Sequence, residues 1–230
     1  MTARRALVLA DGRPPTRAGL DRAWPGWADG IDLVVAADGG ARLAAALGLA
    51  IDAWVGDGDS LGAAGLEALR RAGVPIELAT TDKDASDAEL GLLAALRAGA
   101  VEVTILGALG GPRLDHALAN VQLLAHPAAA GSEVQLLDPA GRVRLLSAPD
   151  QAGGPVRLGL AGRPGDIVSL LPLGDAIGVT TAGLAYPLRD EDLPAGPARG
   201  LSNVREGSSA AVTLRRGRLL VVEVPATLPG

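Results

Sequence analysis

Along the first half of the chain, apolar residues gather in short runs, each closed by a turn signal and followed by helical spacing. Residues 6–10 are wholly apolar and stop at Asp11-Gly12. Residues 31–37 form a second run, closed by Asp38-Gly39-Gly40, and residues 41–47 then read as a helix ending at Gly48. The pattern repeats from Ala53-Trp54-Val55 into a helix at 61–72 carrying Leu61, Leu66 and Leu69. It repeats again from a strand at 76–79 into a helix at 85–98, and from a strand at 101–106 into a helix at 114–125. Residues 13–30, rich in Pro, Gly and charge, read as loop with one helical turn near Trp24. Strands alternating with helices predict an α/β fold: a largely parallel sheet with helices on both faces.

The texture changes at residues 148–155, where Pro149, Gly153, Gly154 and Pro155 mark a linker. No helix-length periodic segment follows. Short β-rich runs stand at 167–171, 177–181, 211–214 and 219–224, and the last two flank Arg215-Arg216-Gly217-Arg218, which reads as a hairpin turn. Pro155, Pro164, Pro172, Pro187, Pro194 and Pro197 suit the edges and turns of an antiparallel sheet. The expectation is an α/β domain at 1–148 and a smaller all-β domain at 149–230.

Composition narrows the function classes. The 230 residues are 48% hydrophobic but only 2% aromatic, with no Phe, so the core is built from Ala, Leu and Val. A net charge of −5 without a basic block argues against a nucleic-acid surface. With no cysteine there is no disulfide framework, thiolate metal site or thiol nucleophile. The first apolar run is too short for a signal-peptide core, and no run approaches the roughly 20 apolar residues of a membrane span. A soluble, cytoplasmic protein is expected.

The candidate chemistry lies at the carboxyl ends of the α/β strands, where open sheets bind ligands. Asp57 and Asp59, two residues apart on an acidic turn, can face one pocket, and Mg²⁺ favours such oxygen ligands together with substrate phosphates. The plainer reading is a solvated turn with Asp59 or Ser60 as helix N-cap. Gly39 and Gly40 after Asp38 let backbone N–H groups approach a ligand, or simply turn the chain. Asp82, Lys83, Asp84 and Asp87 cluster around Ser86-x-x-Glu89, which is by itself a capping box. Glycines 107, 110 and 111 precede Arg113, a phosphate-type arrangement. Asp115 either pairs with Arg113 or caps the helix, His116 reads as structural, and Asn120 shares its helix face one turn on. Together these turns predict a Mg²⁺–phosphate site. A serine hydrolase is disfavoured, since no G-x-S-x-G elbow occurs.

Taken in order, residues 37–41, 56–60, 82–87 and 113–116 with Asn120, then residues 183–188 and 200–203, resemble the thiamine pyrophosphokinase family over nearly the whole chain. The resemblance implies a Rossmann-like α/β domain followed by a β domain, and transfer of the terminal diphosphate of ATP to the hydroxyl of thiamine, giving thiamine diphosphate and AMP. It implies a Mg²⁺ cofactor on Asp57, Asp59 and Asp87, with Arg113 in the catalytic set. It also implies ATP contacts from Asp38, Gly39, Gly40, Ser60, Lys83, Ser86, Asp115 and Asn120, and thiamine contacts from Tyr186, Ser202 and Asn203. A homodimer with thiamine bound at the subunit interface follows from the same source. The chain departs from the family in having Gly58 where Phe is common, Ser86 for Thr, an extra Pro112, and no Trp in the second domain. A diphosphokinase for another alcohol, such as a hydroxymethylpterin, and a non-catalytic nucleotide- or thiamine-binding regulator are the alternatives.

Overall fold

The computed structural model describes residues 4–80, 85–149 and 154–226, in two compact units, Met1–Pro139 and Ala140–Gly230. In the first unit, β1 (Arg4–Leu9), β2 (Leu33–Ala37), β3 (Ala53–Gly56), β4 (Ile76–Leu78), β5 (Ala100–Leu106) and β6 (Glu133–Asp138) pair in the order β6-β5-β1-β2-β3-β4. Every one of these pairings is parallel. The helices are α1 (Arg17–Ala23), α2 (Gly40–Leu47), α3 (Gly62–Arg71), α4 (Asp87–Arg97) and α5 (Leu114–Gln122), the last running into 3₁₀ turns at Leu123–Ala125 and Pro127–Ala129. Among the described residues no helix is long and apolar enough to cross a membrane.

Successive strand residues point to opposite faces. Leu7 and Leu9 therefore join Leu20 of α1 and Leu43, Ala44 and Leu47 of α2 in one core cluster. Val8 points the other way, against Gly91 of α4. The strand order leads from β1 towards β4 on one side and towards β6 on the other. The chain thus reverses direction across the sheet beside β1, the position where such sheets open a binding crevice.

In this unit, two elements depart from the hydrophobic pattern. Residues 13–30 hold α1, a seven-residue helix, rather than a single helical turn near Trp24. Thr16 caps it by accepting from the Gly19 N–H at 3.1 Å, and Trp27 donates from Nε1 to Asp21 Oδ1 at 2.8 Å. Strand β6 lies in a stretch for which the pattern predicts no element.

The second unit contains β7 (Gly141–Ala148), β8 (Val156–Ala161), β9 (Ile167–Pro172), β10 (Ala176–Ala182), β11 (Glu191–Leu193), β12 (Asn203–Val204), β13 (Ser209–Leu214) and β14 (Gly217–Val224). They form two antiparallel layers, β12-β9-β14-β7 and β11-β10-β13-β8. Leu146, Val168, Leu170, Leu219 and Val221 from the first layer meet Leu160, Val179, Leu193, Val212 and Leu214 from the second in one buried cluster. The unit boundary falls before β7 rather than at 148/149, because β7 pairs with β14 along residues 142–148.

The expected hairpin at Arg215–Arg218 is corrected. β13 pairs with β8 and β10, whereas β14 pairs with β7 and β9, so this turn carries the chain from one layer to the other. Gly217, at φ 103°, makes the crossing possible: a Cβ there would lie 2.2 Å from the Asp175 carbonyl.

One end of the β unit is closed by charge. Glu223, 2% exposed, receives Arg142 at 2.9 Å, Arg144 at 2.7 Å and Arg205 at 3.3 Å. Removing one member of such a buried set strands the others. Glu223→Gln is expected to destabilise the β unit by about 3–5 kcal/mol, read as faster amide hydrogen exchange along β7 and β14.

Candidate active site

The pairing of β2 with β3 builds the site. Ala36 lies opposite Trp54 and Ala37 opposite Val55, so Asp38 comes level with Gly56 and the acidic turn that follows it. Asp38 is fully buried and holds a left-handed φ of 42°. Its backbone is fixed twice, by its N–H on the Val55 carbonyl at 2.8 Å and by the Trp54 indole on its own carbonyl at 3.0 Å. One carboxylate oxygen from each of Asp38, Asp57 and Asp59 lies within 4.8 Å of the others. Among the described residues, Asp38 Oδ1 has no hydrogen-bond partner.

Ser60 fastens two of these acids. Its N–H donates to Asp38 Oδ2 at 3.3 Å, and its hydroxyl donates to Asp59 Oδ1 at 3.2 Å. The Asp59 N–H donates to Asp57 Oδ1 at 3.1 Å. Neither Asp59 nor Ser60 caps α3: Leu61 occupies the N-cap position, without a side-chain bond. Leu66 packs against Gly58, filling space that a side chain at 58 would take.

Two residues that sequence reasoning missed complete this edge. Arg42 of α2 donates from Nη1 to the Ser60 carbonyl at 2.7 Å and from Nη2 to both oxygens of Asp11, at 3.0 and 2.9 Å. The Asp11 carboxylate lies against Gly39, where a Cβ would come within 2.2 Å of it. A small hint was visible, since Asp11 ends the first apolar run just as Asp38 ends the second.

The other expected residues take separate places. Asp87 is the first residue of α4, and Asp38 joins Asp57 and Asp59 in the converging group. Ser86 is the N-cap of α4 and accepts from the Glu89 N–H at 3.2 Å. Lys83, with Asp82 and Asp84, lies outside the described residues. Arg113 pairs with Asp115 through Nη2 at 2.6 Å and Nε at 2.9 Å, which decides between pairing and capping for Asp115. That guanidinium holds the Asp115 carboxyl well below the usual carboxylate range, and Asp115 in turn raises Arg113. Asn120 is buried and donates to the Ala108 carbonyl at 2.9 Å, tying the glycine turn after β5 to α5.

In the β unit, Tyr186, Ser202 and Asn203 line one cavity of about 170 Å³ together with Leu170, Leu188 and Arg199. Tyr186 is 64% exposed. Asn203 is clamped: Oδ1 accepts from the N–H groups of Tyr186 at 3.0 Å and Val204 at 2.9 Å, and Nδ2 donates to the Tyr186 carbonyl at 2.6 Å.

The model of the thiamin pyrophosphokinase catalytic domain matches residues 27–136, and that of its vitamin B1 binding domain matches residues 157–219. The chain belongs to the thiamin pyrophosphokinase family. Solved structures agree on the fold. A thiamine pyrophosphokinase from Bacillus subtilis superposes with a TM-score of 0.80 at 23% identity, covering 96% of this chain and 99% of that one. A thiamin pyrophosphokinase family protein from Enterococcus faecalis gives 0.79 at 25% identity, covering 98% and 100%. The yeast thiamin pyrophosphokinase gives 0.70 at 17%, covering 97% and 87%. No curated protein sequence matches the chain.

The acid cluster of this thiamin pyrophosphokinase family member suits a divalent cation. A buried carboxylate oxygen with no donor is costly, and Asp38 Oδ1 is in that position. Three converging carboxylates form an all-oxygen donor set, which a hard cation such as Mg²⁺ prefers.

The Arg113–Asp115 pair yields a titration test. A carboxyl with a depressed pKa contributes stability above its ordinary range and loses it as pH falls through the depressed value. Followed by carboxyl NMR, Asp115 is expected to remain ionised at pH values where free aspartate is half protonated. In Arg113→Ala, its midpoint is expected to return to the ordinary range.

Proposed function

We propose that this chain transfers the diphosphate of ATP to the hydroxyl of thiamine, giving thiamine diphosphate and AMP. The observation that carries the reading is the fully buried, unpartnered Asp38 Oδ1 converging with Asp57 and Asp59 at the carboxyl end of the parallel sheet. Membership of the thiamin pyrophosphokinase family supplies the two substrates.

Asp57, Asp59 and Asp87, with Asp38 beside the first two, would hold Mg²⁺, which when bound neutralises charge on phosphate oxygens. Gly39 and Gly40 open the N-terminus of α2 beside these acids, where backbone N–H groups and the helix dipole favour a phosphate. Arg113 and Lys83 remain the proposed cations for the transferring oxygens, with Ser86, Asp115 and Asn120 shaping the turns that bind ATP. Asp59 or Asp87 is the proposed acceptor of the hydroxyl proton, in a reaction where positioning outweighs base strength. The cavity under Tyr186, with Ser202 and Asn203, is the proposed thiamine-binding surface. The same reading carries a cytoplasmic homodimer in which a second copy of the chain completes the thiamine site.

The test is AMP release from ATP and Mg²⁺ with thiamine, followed by identification of the second product. AMP and thiamine diphosphate in equal amounts are expected, with none after chelation of the metal. AMP formed with a hydroxymethylpterin but not with thiamine would move the acceptor. Thiamine binding without turnover would identify a regulator. Asp38→Asn and Asp59→Asn are each expected to lower turnover by roughly 10²-fold or more, with the circular dichroism of the fold unchanged. Near-normal activity in either variant would remove that residue from the site.

A further inference from the structure

Three segments that are distant in sequence are linked through Arg42 and Ser60. The Ser60 N–H fixes Asp38 Oδ2 and its hydroxyl fixes Asp59 Oδ1, so the convergence of two site carboxylates depends on how Ser60 is held. The Ser60 carbonyl is held in turn by Arg42 Nη1 at 2.7 Å. Arg42 has its own anchor, both oxygens of Asp11 at 2.9 and 3.0 Å from Nη2. Asp11 follows β1, Arg42 lies on α2, and Ser60 follows β3, so this one chain of bonds spans the crevice edge.

We propose that Asp11 and Arg42 are positioning residues of the cation site, holding Ser60 so that the oxygens of Asp38 and Asp59 stay converged. This rests on the cation reading given above. The arrangement needs arginine, because one nitrogen serves Asp11 while the other serves the Ser60 carbonyl. A lysine ammonium is a single point and lacks that planar fork.

Charge and position predict opposite signs here, and this makes the proposal testable. If Arg42 acted only through its charge, it would repel a cation, and its removal would tighten metal binding. As a positioning residue, its removal loosens binding. The measurement is the Kd of Mn²⁺ alone for the full chain, from the electron paramagnetic resonance signal of free Mn²⁺. Arg42→Ala, Arg42→Lys and Asp11→Asn are each expected to weaken binding about tenfold, the scale at which groups behind metal ligands act, with an unchanged thermal midpoint. Mn²⁺ binding in Arg42→Ala as tight as or tighter than wild type overturns the proposal while leaving the cation site standing. Failure of the wild-type chain to bind Mn²⁺ removes the cation site itself, and the proposal with it. Arg42→Lys keeps the charge, so wild-type affinity there would also overturn the role of the fork.

Discussion

A carboxylate leaves water only at considerable cost, and Asp38 has left it entirely. Much of the first unit's local design follows from this burial. The strand register brings the acidic turn of β3 beside Asp38. The buried Trp54 fixes the Asp38 backbone, and one carboxylate oxygen takes the N–H of Ser60. The other oxygen has no hydrogen-bond partner among the described residues. Hydrophobic packing contributes the rigidity: the residues just before Asp38, on β2, are wholly buried in the sheet.

The parts of the fold readable in the sequence were those with strong periodicity. The runs ending at Asp38, Gly56 and Leu106 are short and apolar because their strands are covered on both faces, and α2 and α4 follow at helical spacing. Helix α1 was obscured by the Pro, Gly and charge around it; its cap at Thr16 and the indole bond of Trp27 hold it in tertiary context. The turn at Arg215–Arg218 carries hairpin residues, yet its flanking strands lie in different layers. Turn composition reports a change of direction and says nothing of which strand will be the partner.

The site was legible to a similar degree. Asp57 and Asp59 stand two apart in sequence, and their proximity needs no fold. Asp38 is brought to them by parallel pairing of β2 with β3, a contact that spacing along the chain does not encode. Asp87 was grouped with them through family resemblance, and it is the first residue of α4. Asp11 and Arg42 went unnoticed because an aspartate in a turn and an arginine on a helix are ordinary until three strand ends are aligned. Asn120 and Asn203, singled out through the resemblance, also bond the backbone and so help to shape the turns they stand in.

The clamp on Tyr186 has a consequence for the cost of recognition. An exposed aromatic ring on a mobile loop would have to give up backbone freedom when a planar partner stacked on it, at about 1–2 kcal/mol for each residue that becomes ordered. Here the Asn203 amide already holds both the N–H and the carbonyl of Tyr186. Only rotation of the ring about its side-chain bonds remains to be lost. A chain almost without aromatic residues thus keeps one ring at its surface with the entropy of its mounting already spent.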